Sequence, residues 1–227
     1  MLAGVYLHIP FCQVRCSYCD FNTFAGLESL IPSYADALCS EIDQVARSAL
    51  SAGIGQVEGD SVFLGGGTPS LLRARQVDAI LGAVRRNLTV VPGAEITLEA
   101  NPGTVDQEHL SALRAMGVNR LSFGVQSAQA DELRLLDRLH TFGQAVQAVA
   151  WARHAGFENI NLDLIYGIMG QTLASWQDTL RRAVDLNPEH LSLYALTVES
   201  GTPMHGRVEA GELRMPDPDL AADMYEW

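Results

Sequence analysis

The chain has no lysine: all 15 of its basic side chains are arginine, set against 27 carboxylates, for a formal net charge of -12. We read the missing lysine as a genomic bias rather than a physical requirement. The charge has a consequence of its own, because an acidic surface does not draw in phosphate backbones, so nucleic acid is a poor partner for this chain. Long apolar runs are also absent. No stretch reaches the about 18 uninterrupted apolar residues that a membrane-spanning helix needs. Nor does the N-terminus carry a basic segment followed by an apolar one, as a secretory signal would. The expected location is therefore cytoplasmic, with no transmembrane segment. Cysteine is scarce, four in 227 residues. Three of the four fall within eight positions, Cys12, Cys16 and Cys19, while Cys39 stands apart. Clustering of this kind in a reducing compartment favours metal binding over disulfides.

What is present is apolar residue in quantity, 48% against 19% charged, which suits a large buried core. Short apolar runs at 5–9, 61–64, 95–100, 120–125, 159–165 and 190–196 read as strands. Between them lie helical stripes at three-to-four spacing. The first is Tyr34, Leu38, Ile42, Val45 and Ala49, and the second Val77, Ile80, Leu81, Val84 and Leu88. Leu110, Leu113 and Met116 make the third, Val146, Val149 and Ala150 the fourth, and Trp176, Leu180 and Val184 the fifth. Six strands alternate with five helices, the pattern of an α/β fold with a parallel sheet. One face of five of the strands stays polar: Tyr6 and His8; Thr97 and Glu99; Ser122, Gly124 and Gln126; Asn161 and Asp163; Ser192 and Tyr194. A filled eight-stranded barrel would place bulky apolar residues there. Six strands with a polar interior predict a partial (β/α)6 barrel around a cavity. The barrel is expected over residues 1–200. Thr202-Pro203, Gly211 and Pro216-Asp217-Pro218 mark 201–227 as a linker. Its end, 220–227, reads as the start of a helix cut off by the chain end, which points to a fragment with a truncated C-terminal region.

The motif Cys12-x3-Cys16-x2-Cys19 directly follows the first strand, at the strand end where α/β barrels place their active sites. Three thiolates on one loop can hold three irons of a cubane cluster and leave the fourth open, whereas electron-transfer clusters take four Cys. A zinc site would want a fourth ligand, which His8 could supply only by pointing into the loop. The plainest alternative is three unligated core thiols.

The motif resembles the radical S-adenosylmethionine superfamily. The wider string His8-Ile-Pro-Phe-Cys12 through Tyr18-Cys19-Asp-Phe21 is similar to one branch of it, which holds oxygen-independent coproporphyrinogen dehydrogenase and the HemW-type heme chaperone. Further strings of the branch follow in order: Gly65-Gly66-Gly67-Thr68-Pro69, Glu95-Ile-Thr-Leu-Glu99-Ala-Asn101-Pro102, Arg120-Leu-Ser-Phe-Gly124-Val-Gln126-Ser127 and Asp163-Leu-Ile-Tyr166-Gly167. The resemblance implies a [4Fe-4S] cluster on Cys12, Cys16 and Cys19, with S-adenosylmethionine beside it. Gly66, Gly67 and Thr68 would hold the amino group of the methionyl part. Glu99, Gln126 and Asp163 would contact the sugar or amino-acid part, and Arg138 the carboxylate, for which a guanidinium fork is suited. Tyr6 and Tyr18 would flank the adenine or the cluster.

Within the branch, the dehydrogenase has a further Cys where this chain has Phe21, and Phe21 matches the chaperone pattern. That likeness implies heme binding and delivery to respiratory membrane proteins, with a possible peripheral location at the membrane. The alternative it implies is an enzyme: reductive cleavage of S-adenosylmethionine to a 5′-deoxyadenosyl radical and oxidative decarboxylation of coproporphyrinogen III propionates. The chaperone's C-terminal His-Asn-x-x-Tyr-Trp motif would lie beyond Trp227. Cys39 reads as a buried small hydrophobe. His140, His154, His190 and His205 lie scattered on helix edges and loops and are not expected to be ligands. Trp151 and Trp176 fit core stripes.

Overall fold

Alternation along each strand sorts side chains to two faces of the sheet, and the helices cover the apolar one. The computed structural model describes residues 2–54, 57–215 and 217–227, so Pro216 of the expected linker lies outside the described residues. In chain order the elements are β1 (Leu2–Ile9), β2 (Phe11–Cys12), β3 (Phe24–Ala25), α1 (Ile31–Ser51), β4 (Glu58–Gly66), α2 (Ala74–Asn87), β5 (Thr89–Ala100) and α3 (Gln107–Ala115). Then follow β6 (Arg120–Gln126), α4 (Ala130–Leu135), α5 (Phe142–His154), β7 (Ile160–Tyr166), α6 (Leu173–Val184), β8 (His190–Ala195), α7 (Pro203–Glu209) and α8 (Pro218–Glu226). Six strands pair in the order β1-β4-β5-β6-β7-β8, every pairing parallel. Neighbours in space are thus neighbours in sequence, each joined by a crossover through a helix. With the twist of parallel strands this order curls the sheet into a half-barrel.

The outward face is the core. Leu7, Ile9, Val62, Leu64, Leu98, Leu121, Phe123, Ile160, Leu162 and Leu164 pack there under the helices. On α2, Val77, Ile80, Leu81 and Val84 are buried as their spacing predicts. Three stripes need correction. On α5 the buried face is Phe142, Ala145, Ala148, Val149 and Ala152, whereas Val146 and Ala150 are exposed. Alanines form the close-packed side there, so the bulkier valine marks the wrong face. On α1, Leu38 and Ile42 are buried but Val45 is 61% exposed. A helix of 21 residues runs about 31 Å at 1.5 Å per residue, and beyond Ile42 its residues are half-buried or exposed. Cys39 is half-buried against the core rather than enclosed. Val184 of α6 is exposed, while Trp176 is fully buried.

The segment beyond residue 200 is more ordered than its turn signals imply. Thr202 caps α7 by accepting from the His205 N–H, and Pro203 takes the first turn. An N-cap hydroxyl followed by proline is a helix start as readily as a loop. α8 packs on α6 and β7: Met224 is buried in the main core, and the Trp176 indole donates to the Met224 carbonyl at 2.9 Å. A smaller apolar cluster of Leu136, Ile165, Ile168 and Met204, with Tyr18 against it, lies at the C-terminal end of the strands. Among the described residues no helix is long and apolar enough to cross a membrane.

Candidate functional site: a thiol-lined pocket in the half-barrel

The cysteine loop leaves β1 at Pro10 and crosses the mouth of the half-barrel. Its path is set by backbone bonds. The Gly67 N–H donates to Ile9 O at 2.8 Å, Thr68 N–H to Phe11 O at 2.7 Å, and Phe24 N–H to Pro10 O at 2.7 Å. The Ser17 N–H donates to the Asp137 carboxylate at 3.1 Å, and Ser17 O accepts from Met204 N–H at 2.9 Å. The loop is thus anchored to β4, to the end of α4 and to the start of α7. Asp137 adopts a left-handed conformation, φ 53°, a turn-ending role that short polar side chains tolerate.

Beneath the loop is a cavity of ≈ 580 Å³, within the range of small-molecule sites. Cys12, Cys16, Cys19, Tyr18, Gly66, Gly67, Thr68, Glu99, Gln126, Arg138 and Asp163 all line it. Of the cluster and cofactor contacts that the resemblance implies, Tyr6 alone is not among its lining. It is 58% exposed on β1, with its hydroxyl 3.0 Å from His8 Nδ1 and its ring stacked on Phe63 at 6.1 Å, and Phe63 does line the cavity. His8 Nε2 meets Asn22 O at 2.9 Å. A carbonyl only accepts, so Nε2 carries a proton and, in the neutral ring, Nδ1 accepts from Tyr6. His8 therefore spends both nitrogens on Tyr6 and the loop backbone and offers none to a metal. Among the described residues no three of His, Cys, Asp and Glu lie close enough together to hold a single ion.

The thiols are free. Burial pushes the Cys12 thiol up, against the Thr68 hydroxyl, which donates to its Sγ at 3.7 Å. Arg138 reaches two partners: Nη2 donates to Gly124 O at 2.7 Å and Nη1 to Cys16 Sγ at 3.6 Å, while its Nε is buried with no partner. Tyr18 lies beside them, and burial raises its hydroxyl above the usual tyrosine range although nearby Arg138 opposes. Gln126, at the end of β6, sits at φ 68° with a buried, unpartnered Oε1. A non-glycine residue held left-handed on a pocket wall is local strain of the kind that concentrates at ligand sites.

Glu99 accepts from the Gly66 N–H at 2.9 Å. Burial raises its carboxyl, with the Gly66 N–H and His8 opposing and Asp163 adding to the rise. A Cβ on Gly66 would fall 2.5 Å from the His8 ring, and one on Gly67 2.7 Å from Phe11 O. Glycine is required at both because backbone and ring already fill the space. Asp163 accepts from Asn161 Nδ2 at 2.7 Å and Ser122 Oγ at 3.0 Å. Burial raises its carboxyl too, and those donors, Ser192 and Arg120 pull it back. Asp137, Ser122, Asn161 and Arg120 were not singled out above as site residues. Asn161 and Asp163 were legible as one polar strand face, but nothing in the sequence marks Asp137.

The donor set fits the groups that the motif implies. Three unpaired thiols on one loop line the cavity rim. A guanidinium with a free Nε and an amide with a free Oε1 are orphaned until something polar enters. A carboxylate, Glu99, faces a glycine cradle.

The chain has relatives of known family. The model of the family described as "Radical SAM superfamily" matches residues 6–183. The chain is 41% identical over 226 residues to the heme chaperone HemW of Mycobacterium tuberculosis, covering 98% of this chain and 57% of that protein. It is 41% identical to the mitochondrial radical S-adenosyl methionine domain-containing protein 1 of Mus musculus, covering 99% of this chain and 50% of that protein. Among solved structures it resembles the coproporphyrinogen III oxidase HemN of Escherichia coli, a radical SAM enzyme, with TM-score 0.86, 32% identity, 99% of this chain and 50% of that one. The chain therefore spans about half the length of the relatives it matches. The family match over most of the chain, the half-barrel and the thiol loop at its mouth lead to one conclusion: the chain belongs to the radical S-adenosylmethionine superfamily, whose cofactors are S-adenosylmethionine and a [4Fe-4S] cluster.

Proposed function

We propose that the full-length protein is a heme chaperone of the HemW type, which binds heme and passes it to respiratory membrane proteins. The observation that carries the reading is Phe21. The dehydrogenase branch has a further Cys at that position, and here an aromatic side chain, 63% exposed, stands at the cavity mouth. Identity of 37–41% to bacterial HemW proteins across nearly the whole chain supports it. Cys12, Cys16 and Cys19 would hold the cluster. Arg138 would take the carboxylate of S-adenosylmethionine and Glu99 its ammonium, Gly66–Thr68 would cradle the methionyl end, and Asp163 and Gln126 would take the nucleoside side. Tyr18 and, through Phe63, Tyr6 would bound the adenine or cluster region. When bound, the cluster supplies one electron at a time and the sulfonium is the group able to accept it. The chain's own part is to orient the two and keep water from them. The test is titration of heme into the full-length protein: a saturable spectral change at one heme per chain is expected, and no change contradicts the reading.

A second reading has an observation of its own, the likeness in fold to HemN. On it the protein would be an oxygen-independent coproporphyrinogen III dehydrogenase. Anaerobic conversion of coproporphyrinogen III to protoporphyrinogen would establish that activity, and Phe21 argues against it.

A further inference from the structure

A row of polar side chains crosses the inner face of the sheet beneath the cavity, and its donors all point one way. Asn161 is 1% exposed and Ser122 5%. The atom of Asn161 that lies 2.7 Å from Asp163 Oδ1 must be the amide nitrogen, since a carboxylate only accepts. That orientation puts the same nitrogen 2.7 Å from Ser122 Oγ, which in turn donates to Asp163 Oδ2 at 3.0 Å. It also turns Asn161 Oδ1 toward β8, where His190 Nδ1 lies at 2.5 Å and Ser192 Oγ donates at 3.0 Å. With an oxygen facing it, His190 carries its proton on Nδ1. Protons thus run from His190 and Ser192 to Asn161, and from Asn161 and Ser122 to Asp163. Strand register accounts for the alignment: Ser122 pairs with Asn161, Asn161 with His190, and Asp163 with Ser192.

We infer that Asn161 is a positioning residue for S-adenosylmethionine: it locks the Asp163 carboxylate, through an amide held by His190 and Ser192, as an acceptor for the hydroxyls of the nucleoside sugar. The inference rests on the reading that this cavity takes S-adenosylmethionine. Both Asp163 oxygens receive a donor from the strand side, which fixes the plane of the carboxylate and opposes the rise that burial imposes on it. The remaining lone pairs are left for donors arriving from the cavity. A vicinal diol is such a donor pair, and a second carboxylate is excluded. Without the amide, Asp163 keeps only hydroxyl partners and is free to turn.

The test is equilibrium binding of S-adenosylmethionine to the anaerobically reconstituted protein, by calorimetry at mildly alkaline and mildly acidic pH. Cluster content and far-UV circular dichroism confirm that each variant folds. Asn161→Asp sets a second carboxylate against Asp163, with Arg120 on β6, His190 on β8 and, one strand further, Glu99 on β5 as the other charged or titratable groups facing it. Relative to wild type it is expected to bind about tenfold more weakly at the alkaline pH, the loss of a hydrogen bond to a charged group. At the acidic pH it regains most of that affinity, because two facing carboxylates share one proton and the protonated group donates as the amide does. Equal loss at both pH values, or none, overturns the inference. Ser122→Ala removes one donor without adding charge and serves if the first variant does not fold: about threefold to tenfold weaker binding is expected, and unchanged binding overturns the inference. If the wild type itself fails to bind S-adenosylmethionine, the underlying reading falls and the inference with it.

Discussion

Replacing Gly67 by alanine tests the contact between the glycine cradle and the cysteine loop. The added Cβ would stand 2.7 Å from Phe11 O and 2.9 Å from Ile9 O, against 3.4 Å or more for ordinary contact, so the two segments must part by about 0.7 Å. Both obstacles are backbone oxygens of the segment that presents Cys12, so no side-chain rotation relieves them. The same movement stretches the Gly67–Ile9 and Thr68–Phe11 hydrogen bonds, now 2.8 and 2.7 Å. Two weakened bonds at about 1 kcal/mol each and a modest overpacking strain add to about 2–4 kcal/mol of lost stability. Urea unfolding followed by circular dichroism reads that loss, and S-adenosylmethionine binding should fall with it as the cradle moves from the thiols. Gly206→Ala is the control: nothing lies within 4 Å of its Cβ in helix α7, so it should be neutral or stabilise by up to about 1 kcal/mol. If Gly67→Ala unfolds at the wild-type midpoint and binds S-adenosylmethionine normally, the account of the cradle is wrong.

Arg138→Met removes the donors to Gly124 O and Cys16 Sγ and the charge meant for a carboxylate; S-adenosylmethionine binding measured by calorimetry should weaken about 10- to 100-fold. Glu99→Gln should separate stability from binding. Its folded carboxyl is raised by burial, so the folded state holds that proton more tightly than the unfolded chain, and the empty protein loses stability as pH rises from the ordinary carboxylate value through the raised one. The amide removes that loss: unfolding curves of the empty variant should flatten over that pH window while S-adenosylmethionine affinity drops. Trp176→Phe deletes the indole bond to Met224 O; a destabilisation of about 1–2 kcal/mol and faster proteolysis near α8 are expected in limited digestion.

Much of the fold was legible because strands and helices here obey their periods. Polar inner residues from Thr97 to Tyr194 marked a cavity-facing sheet, and the six strands overlap the apolar runs, although β4 and β5 begin three and six residues before them. What hydrophobicity could not show was packing by small residues: Ala145, Ala148 and Ala152 bury the face of α5 while Val146 stays in solvent. Helix α7 was hidden because Thr202-Pro203 serves equally as a turn and as a helix cap. In the site, residue types carried the reading wherever spacing is local, as in the thiol loop and Gly65–Gly67. It ran out where position depends on tertiary strain or long-range pairing. No feature of sequence announces that Gln126 is left-handed, or that Asp137 holds the Ser17 amide across 120 positions. His190 looked like one of several scattered histidines, and only the register of β7 with β8 joins it to Asn161 and Asp163.

The central claim is that Cys12, Cys16 and Cys19, and not Cys39, hold a [4Fe-4S] cluster beside a pocket for S-adenosylmethionine. The most direct measurement is iron and sulfide content with S-adenosylmethionine binding after anaerobic reconstitution of the wild type and of single Cys→Ser variants. The account predicts a full cluster and binding in wild type and Cys39→Ser, and loss of both in each of the other three. A cluster that survives replacement of Cys12, Cys16 or Cys19, or one that needs Cys39, would contradict it.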